Sequence, residues 1–145
     1  MSSSANGDTT VWRKIYQTVR QADGAAVQVG VFDGRNAEIG LIHEYGAPAA
    51  GIPARSFLRQ TFENRRGELV ALQAKLAQLL IAGKITEYKA MGLLGAWAVG
   101  AIKATITRDG TFAPLKPATI KRKKSDKPLI HSGQLVGAVA FVVVP

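Results

Sequence analysis

Two histidines, ten acidic residues and no cysteine are the stock from which this 145-residue chain could build a reactive centre. His43-Glu44 begins the pattern of a zinc-hydrolase helix. There a second His one turn on puts two imidazoles on one face, with the Glu as general base. Position 47 is Ala, so the second ligand is missing, and His131 stands far away and alone. One imidazole does not make a zinc site. The absence of cysteine removes thiolate nucleophiles, thiolate metal sites and disulfides together. No Gly-x-Ser-x-Gly elbow is present to present a nucleophilic serine. The stretch "GLLGAWAVG" has three glycines but lacks the Lys-Ser/Thr that completes a phosphate loop. The acids are scattered, with no Asp-x-Asp or Glu-x-x-Glu pair to hold a hard cation. The expectation is a protein that is not an enzyme and that carries neither cofactor nor metal.

Charge is the remaining chemistry. The formal net charge is +9, and residues 116 to 127 carry +5 of it through Lys116, Lys121, Arg122, Lys123, Lys124 and Lys127 against Asp126. Such a block meets nucleic acid, an acidic protein surface or only water. Phe112 is its one aromatic neighbour, so the aromatic interleaving that single-strand binders use for base stacking is missing. Passive contact with a phosphate backbone stays open, and sequence-specific readout is not expected.

The elements that must position these residues follow from periodicity. Residues 1 to 8 are polar and read as a frayed tail, without the basic start and apolar run of a leader. "TTVWRKIYQTVRQA" places Val11, Ile15 and Val19 on one helical face behind a Thr cap, and Asp23-Gly24 ends it. In "AAVQVGVF", Val27, Val29 and Val31 alternate as in a half-buried strand. After the Asp33-Gly34 turn, a short helix runs through Ala37, Ile39, Leu41, Ile42 and Tyr45 and stops at Gly46.

A Pro/Gly loop, 46 to 55, separates this from a long helix. Ser56 is expected to cap that helix, and Leu58, Phe62, Leu69, Leu72, Leu76 and Leu79 form its stripe, with Arg65 filling the gap. Gly83-Lys84 breaks it. A second long helix, from about Thr86 to Thr107, contains Gly92, Gly95 and Gly100. Each interior Gly costs about 1 kcal/mol against Ala, which points to close backbone approach by a neighbour, in the simplest case the first long helix across the Ala82-Gly83 turn. Residues 111 to 131 hold three prolines and most of the basic block, too long for an ordinary connector. Pro117 can start a short helical turn there. Ser132 is expected to cap a brief helix before the strand "VAFVVV".

These elements make one α+β domain, 9 to 145, with strands near both ends and two long helices between. Length and a 47% hydrophobic composition suffice for a real core. The longest apolar run, Ala90 to Ile102, is 13 residues, short of the ~20 of a membrane span, so a soluble protein without membrane contact is expected.

Three segments then stand out in order: "VGVFDG", "AEIGLIHEYGAPAAGIPARSFLRQTF" and, far downstream, "APLKPATIKRKKSDKPLIHSGQL". Together they resemble the small neck, or tail-completion, proteins of tailed bacteriophages, often labelled minor tail or virion morphogenesis proteins. The likeness covers roughly residues 25 to 62 and 111 to 141. Gly46, Ile52, Pro53, Ala54, Arg55, Phe57 and Leu58 match the first motif. Pro114, Leu115, Pro117, Thr119, Ile120, Lys127, Pro128, Leu129, Ile130, Gly133, Gln134 and Leu135 match the second. The family usually has Pro where this chain has Ser56, and often Asp where it has His131. The resemblance implies a non-enzymatic subunit of the virion, assembled in the host cytoplasm. It would form a ring, usually sixfold, at the head–tail junction, among other connector and tail proteins.

A ring needs a head-to-tail contact between two different patches. Pro48 and Pro53 stiffen the loop, Arg55 can fork onto a neighbour, and Ile52, Phe57 and Leu58 can anchor in an apolar groove. For Phe57 and Leu58, a place in the chain's own core is an equal expectation. The 111 to 131 arm would touch a neighbour or channel DNA. A small basic DNA-binding protein, with that arm as its contact surface, is the alternative from another class.

Overall fold

The computed structural model of the protein describes residues 9–123 and 133–145. The expected tail 1–8, the Ser132 cap, and Lys124 and Lys127 of the basic arm lie outside the described residues, as does the side chain of Lys123. The elements are α1 (Thr9–Ala22), β1 (Ala26–Val31), α2 (Gly34–Tyr45), a 3-10 turn (Pro48–Ala50), α3 (Phe57–Asn64), α4 (Arg66–Ile81), α5 (Glu87–Ala104), a π turn (Thr105–Asp109), α6 (Pro117–Lys123), α7 (Gln134–Ala138) and β2 (Val139–Val144). The fold is α+β, as expected. Among the described residues the sheet is a single antiparallel pair, with Ala26 opposite Val144 and Val31 opposite Val139.

Period-two alternation decides which face of that ribbon is covered. Val29 stands opposite Phe141 and Val31 opposite Val139, and α5 packs against both strands. Ile102, Ile106, Phe57, Leu135 and Val139 form the buried cluster, flanked by Val29, Val31, Phe62 and Phe112. The helix through the π turn, Glu87–Asp109, is 23 residues long and apolar enough to cross a membrane by length and composition. It exceeds the unbroken run read from the sequence because Glu87, Tyr88 and Lys89 precede that run and Lys103 and the turn residues follow it. In the fold it is the central helix of the core.

Local caps hold where local chemistry dictates them. The Asp33 carboxylate accepts the Asn36 amide at the start of α2. Hydrogen bonding from Asn36, its side chain first and its backbone second, lowers the Asp33 pKa. Thr86 accepts from Lys89 N at the start of α5. Gly83, at φ 69°, closes α4: its amide reaches Leu80 O and that of Lys84 reaches Leu79 O, the two bonds of a Schellman stop.

The expected first long helix is two helices. It breaks at Arg65 (φ −111°, ψ 21°), where α3 ends and α4 starts. The side chain explains the break: its guanidinium bonds Asp109 at the end of the π turn and reaches Glu68. The Arg65 hydrogen bond is the main cause that holds the Asp109 pKa low. In the angle between α3 and α5, the fully buried Thr61 hydroxyl lies 2.7 Å from both Phe57 O and Thr105 Oγ1, and Thr105 Oγ1 lies 3.1 Å from Ala101 O. Each hydroxyl has one proton, so one donates to a carbonyl of its own helix while the other donates to its neighbour.

The three α5 glycines are not equivalent, contrary to the expectation of close approach at each. A Cβ on Gly95 would lie 2.2 Å from the Phe141 ring, whereas at Gly92 and Gly100 nothing comes within 4 Å. The neighbour that needs the space is therefore β2, and at one position only. Gly95→Ala is expected to push Phe141 off the helix and to cost about 1–3 kcal/mol. Gly92→Ala and Gly100→Ala should each add up to about 1 kcal/mol through helix propensity. Urea melts of the three variants check both signs at once.

Candidate functional site

The Pro/Gly loop closes on itself. Ala47 and Ile52 exchange both backbone hydrogen bonds, at 2.9 and 3.0 Å, across the 3-10 turn. Pro48 starts that turn and Gly51 ends it in the left-handed region, at φ 68° and ψ 25°. Gly46 is demanded twice over. Its φ is +74°, and a Cβ there would lie 2.8 Å from Ala54 N. The tip, Pro48 to Gly51, is uncharged and exposed.

Two charged side chains fix the base of the loop. Glu44, 5% exposed, accepts from Leu58 N at 2.9 Å and Arg59 N at 3.1 Å, and from Arg59 Nε at 3.0 Å. It satisfies the free amides at the start of α3, and a negative charge at a helix N-terminus is favourable. Ser56, expected to cap, makes no capping bond. Its hydroxyl donates to Glu44 O instead, and Arg59 Nη2 donates to that same carbonyl and to Ser56 Oγ. Arg59 also stacks over Tyr45, 5.4 Å from the ring centre.

Arg55 works in the opposite direction. Expected as an exposed fork for a neighbour, it is 5% exposed and bonds its own chain: Nε donates to Ala113 O at 2.8 Å and Nη2 to Pro114 O at 3.1 Å. The reason is topological, because the segment after the π turn runs back across α3 and offers carbonyls to the guanidinium. Burial lowers the Arg55 pKa. Gln60 holds the same segment in register: its amide donates to Thr111 O at 2.7 Å and its carbonyl accepts from Thr111 N at 2.9 Å. Residues 111 to 116 thus form a docked strap, followed by α6. The short helical turn expected from Pro117 is α6.

The other expected interface residues divide. Phe57 is 1% exposed and belongs to the core. Leu58 and Ile52 are half-buried, and Pro48 and Pro53 are exposed. Lys116, Lys121 and Arg122 are exposed at the start and along the length of α6. Loop and strap enclose an open cleft of about 490 Å³ that includes Arg55, Lys116 and Arg122. A second depression, between α2 and α3, is lined in part by Leu41, Tyr45 and Leu58; Leu41 and Tyr45 are 60% and 65% exposed. Among the described residues, no group of three or more His, Asp or Glu gathers.

The capping role of Glu44 and the pairing of Gln60 were invisible in the sequence. Glu44 caps amides 14 and 15 positions away, and Gln60 pairs 51 positions away, beyond any helical or turn spacing. Comparison with protein-family models, curated proteins and solved structures yields no match to the chain.

Glu44→Ala is expected to lose about 2–3 kcal/mol, since it strips a charged acceptor from buried amides. Arg59→Ala should lose less than about 1 kcal/mol, because its partly exposed ion pair is screened by solvent. Equal losses in paired thermal melts would mean that the ion pair, and not the capping, holds the turn. Arg55→Ala should cost about 1.5–3 kcal/mol by orphaning the strap carbonyls, and Arg55→Lys should rescue little because Lys has no fork. Hydrogen exchange over 111–120 should rise in both variants, and unchanged exchange would show that Arg55 does not hold the strap.

Proposed function

We propose that the protein is a structural, non-enzymatic subunit of a tailed-phage virion, a neck or tail-completion protein that joins its copies in a ring at the head–tail junction. One observation carries the reading. The two segments on which the family resemblance rests, "GIPARSFL" and "APLKPAT", meet in space through Arg55 and the carbonyls of Ala113 and Pro114. A loop pinned at both ends, with a stiff and uncharged tip, loses little entropy on docking. The exposed apolar depression between α2 and α3 supplies a second, different patch, as a head-to-tail ring contact requires. Lys116, Lys121 and Arg122 then face a neighbour or the DNA channel. Channel DNA has to slide, so affinity for free duplex is weak and is largely lost by ~0.2 M salt.

Light scattering of concentrated protein, or electron microscopy of particles, should reveal a defined ring. Ala49→Glu, at the exposed tip, should abolish the ring while leaving the melting temperature unchanged. A protein that is monomeric at all concentrations and also absent from particles overturns the proposal. Sequence-selective duplex binding near 10⁻⁸ M at physiological salt would favour the DNA-binding alternative instead.

A further inference from the structure

The cleft between loop and strap combines an apolar wall with a polar lining of three cations, Arg55, Lys116 and Arg122, beside His43 and Thr119. Ile52, Pro53 and Leu115 form the apolar part, Arg55 lies at the base, Lys116 and Arg122 stand at the edge, and no Asp or Glu lines it among the described residues. Lys116 Nζ lies 3.5 Å from where a side chain on Gly51 would begin, so its ammonium is folded over the loop. Neighbouring cations are treated differently. Arg59 holds the Glu44 carboxylate, and Arg65 holds those of Glu68 and Asp109. Arg55, Lys116 and Arg122 form no ion pair among the described residues. For Arg55 this is costly, because its charge is buried and, among the described residues, it bonds the neutral carbonyl oxygens of Ala113 and Pro114. A buried charge is well compensated only by a counter-charge with hydrogen bonds.

We infer that this cleft binds an acidic, apolar peptide segment of a partner protein. A carboxylate of the segment sits between Lys116 and Arg122, above the desolvated Arg55, and an adjacent aliphatic side chain packs on Ile52, Pro53 and Leu115. Removal of the carboxylate from water is offset by three cations at close range, two of them guanidinium groups suited to a planar anion. Nucleic acid fits less well. A phosphodiester has no use for the apolar part, and among the described lining residues the His43 imidazole is the one ring, with no Phe, Tyr or Trp for a base to stack on. The inference rests on the virion-subunit reading for the partner's setting, whereas the binding chemistry stands without it.

The test is fluorescence anisotropy at about 0.15 M salt, with the full chain and a labelled peptide of alternating Leu and Glu. The comparators are a Leu/Gln peptide, a Ser/Glu peptide and a short duplex DNA. The Leu/Glu peptide should bind at least tenfold more tightly than either comparator peptide, since both the carboxylate and the aliphatic side chain are needed. Lys116→Gln/Arg122→Gln should weaken it about tenfold. Lys14→Gln/Arg35→Gln, which removes the same charge elsewhere, should leave it unchanged. Arg122→Gln alone, at an exposed helix position, repeats the test should the double variant lose its melting transition. Equal binding of the Leu/Gln peptide, or equal weakening by the control pair, overturns the inference. Duplex DNA that binds more tightly than the peptide and is released by the cleft variant assigns the cleft to nucleic acid and overturns it too. A ring present in particles without peptide binding sinks the cleft assignment alone; peptide binding by a protein absent from particles sinks the virion reading alone.

Discussion

The Glu44 carboxylate, buried where α2 turns toward α3, is the interaction on which the arrangement around the loop depends. It accepts the Leu58 and Arg59 amides at the start of α3 and draws Arg59 across the turn, directly after Phe57 of the core cluster. A buried carboxylate is tolerable because its acceptors are filled by two backbone amides and a guanidinium. With α2 and α3 fixed in this way, the intervening residues have little choice of path. Gly46 must take a positive φ beside the Ala54 amide, and Ala47 and Ile52 pair across the tip. The loop is thus rigid at its base while its tip, from Pro48 to Gly51, stays exposed.

The same economy of contacts recurs at the other end of α3. Arg65 interrupts the helix and reaches Asp109, while Thr61 meets Thr105 inside the core. These ties hold α3 against the end of α5, where the π turn redirects the chain. Gly110 is needed there because a Cβ would run into the Phe112 ring and Thr105 O. The chain therefore leaves α5 along one path, across α3, and that path delivers the Ala113 and Pro114 carbonyls to Arg55. Loop and strap become the two walls of one cleft.

This arrangement separates internal from surface side chains along a short stretch of sequence. Phe57 and Glu44 are internal, whereas Pro48, Pro53, Lys116 and Arg122 remain at the surface. Arg55 has a part in both: it pins the strap, and it lines the cleft from below. A surface held by such ties would change shape little on meeting a partner of the kind proposed, which would keep the entropic cost of docking low.

What the sequence by itself determined was the kind and order of elements. Alternating valines make β1, Asp33-Gly34 and Thr86 mark where α2 and α5 begin, and Gly46 and Gly83 stop α2 and α4, because each signal acts within a turn or two of the chain. The absence of cysteine and the isolation of His43 from a second imidazole were equally legible. Tertiary structure alone decided the rest. The break at Arg65 depends on Asp109, 44 residues away; the cap of α3 comes from Glu44; and the burial of Arg55 depends on carbonyls 58 and 59 residues downstream. Of three similar glycines in α5, only Gly95 faces the Phe141 ring. Local periodicity carries no information about which distant group will fill a donor or a gap. That is fixed by how the helices pack on the sheet, and only then does a side chain such as Arg55 become internal.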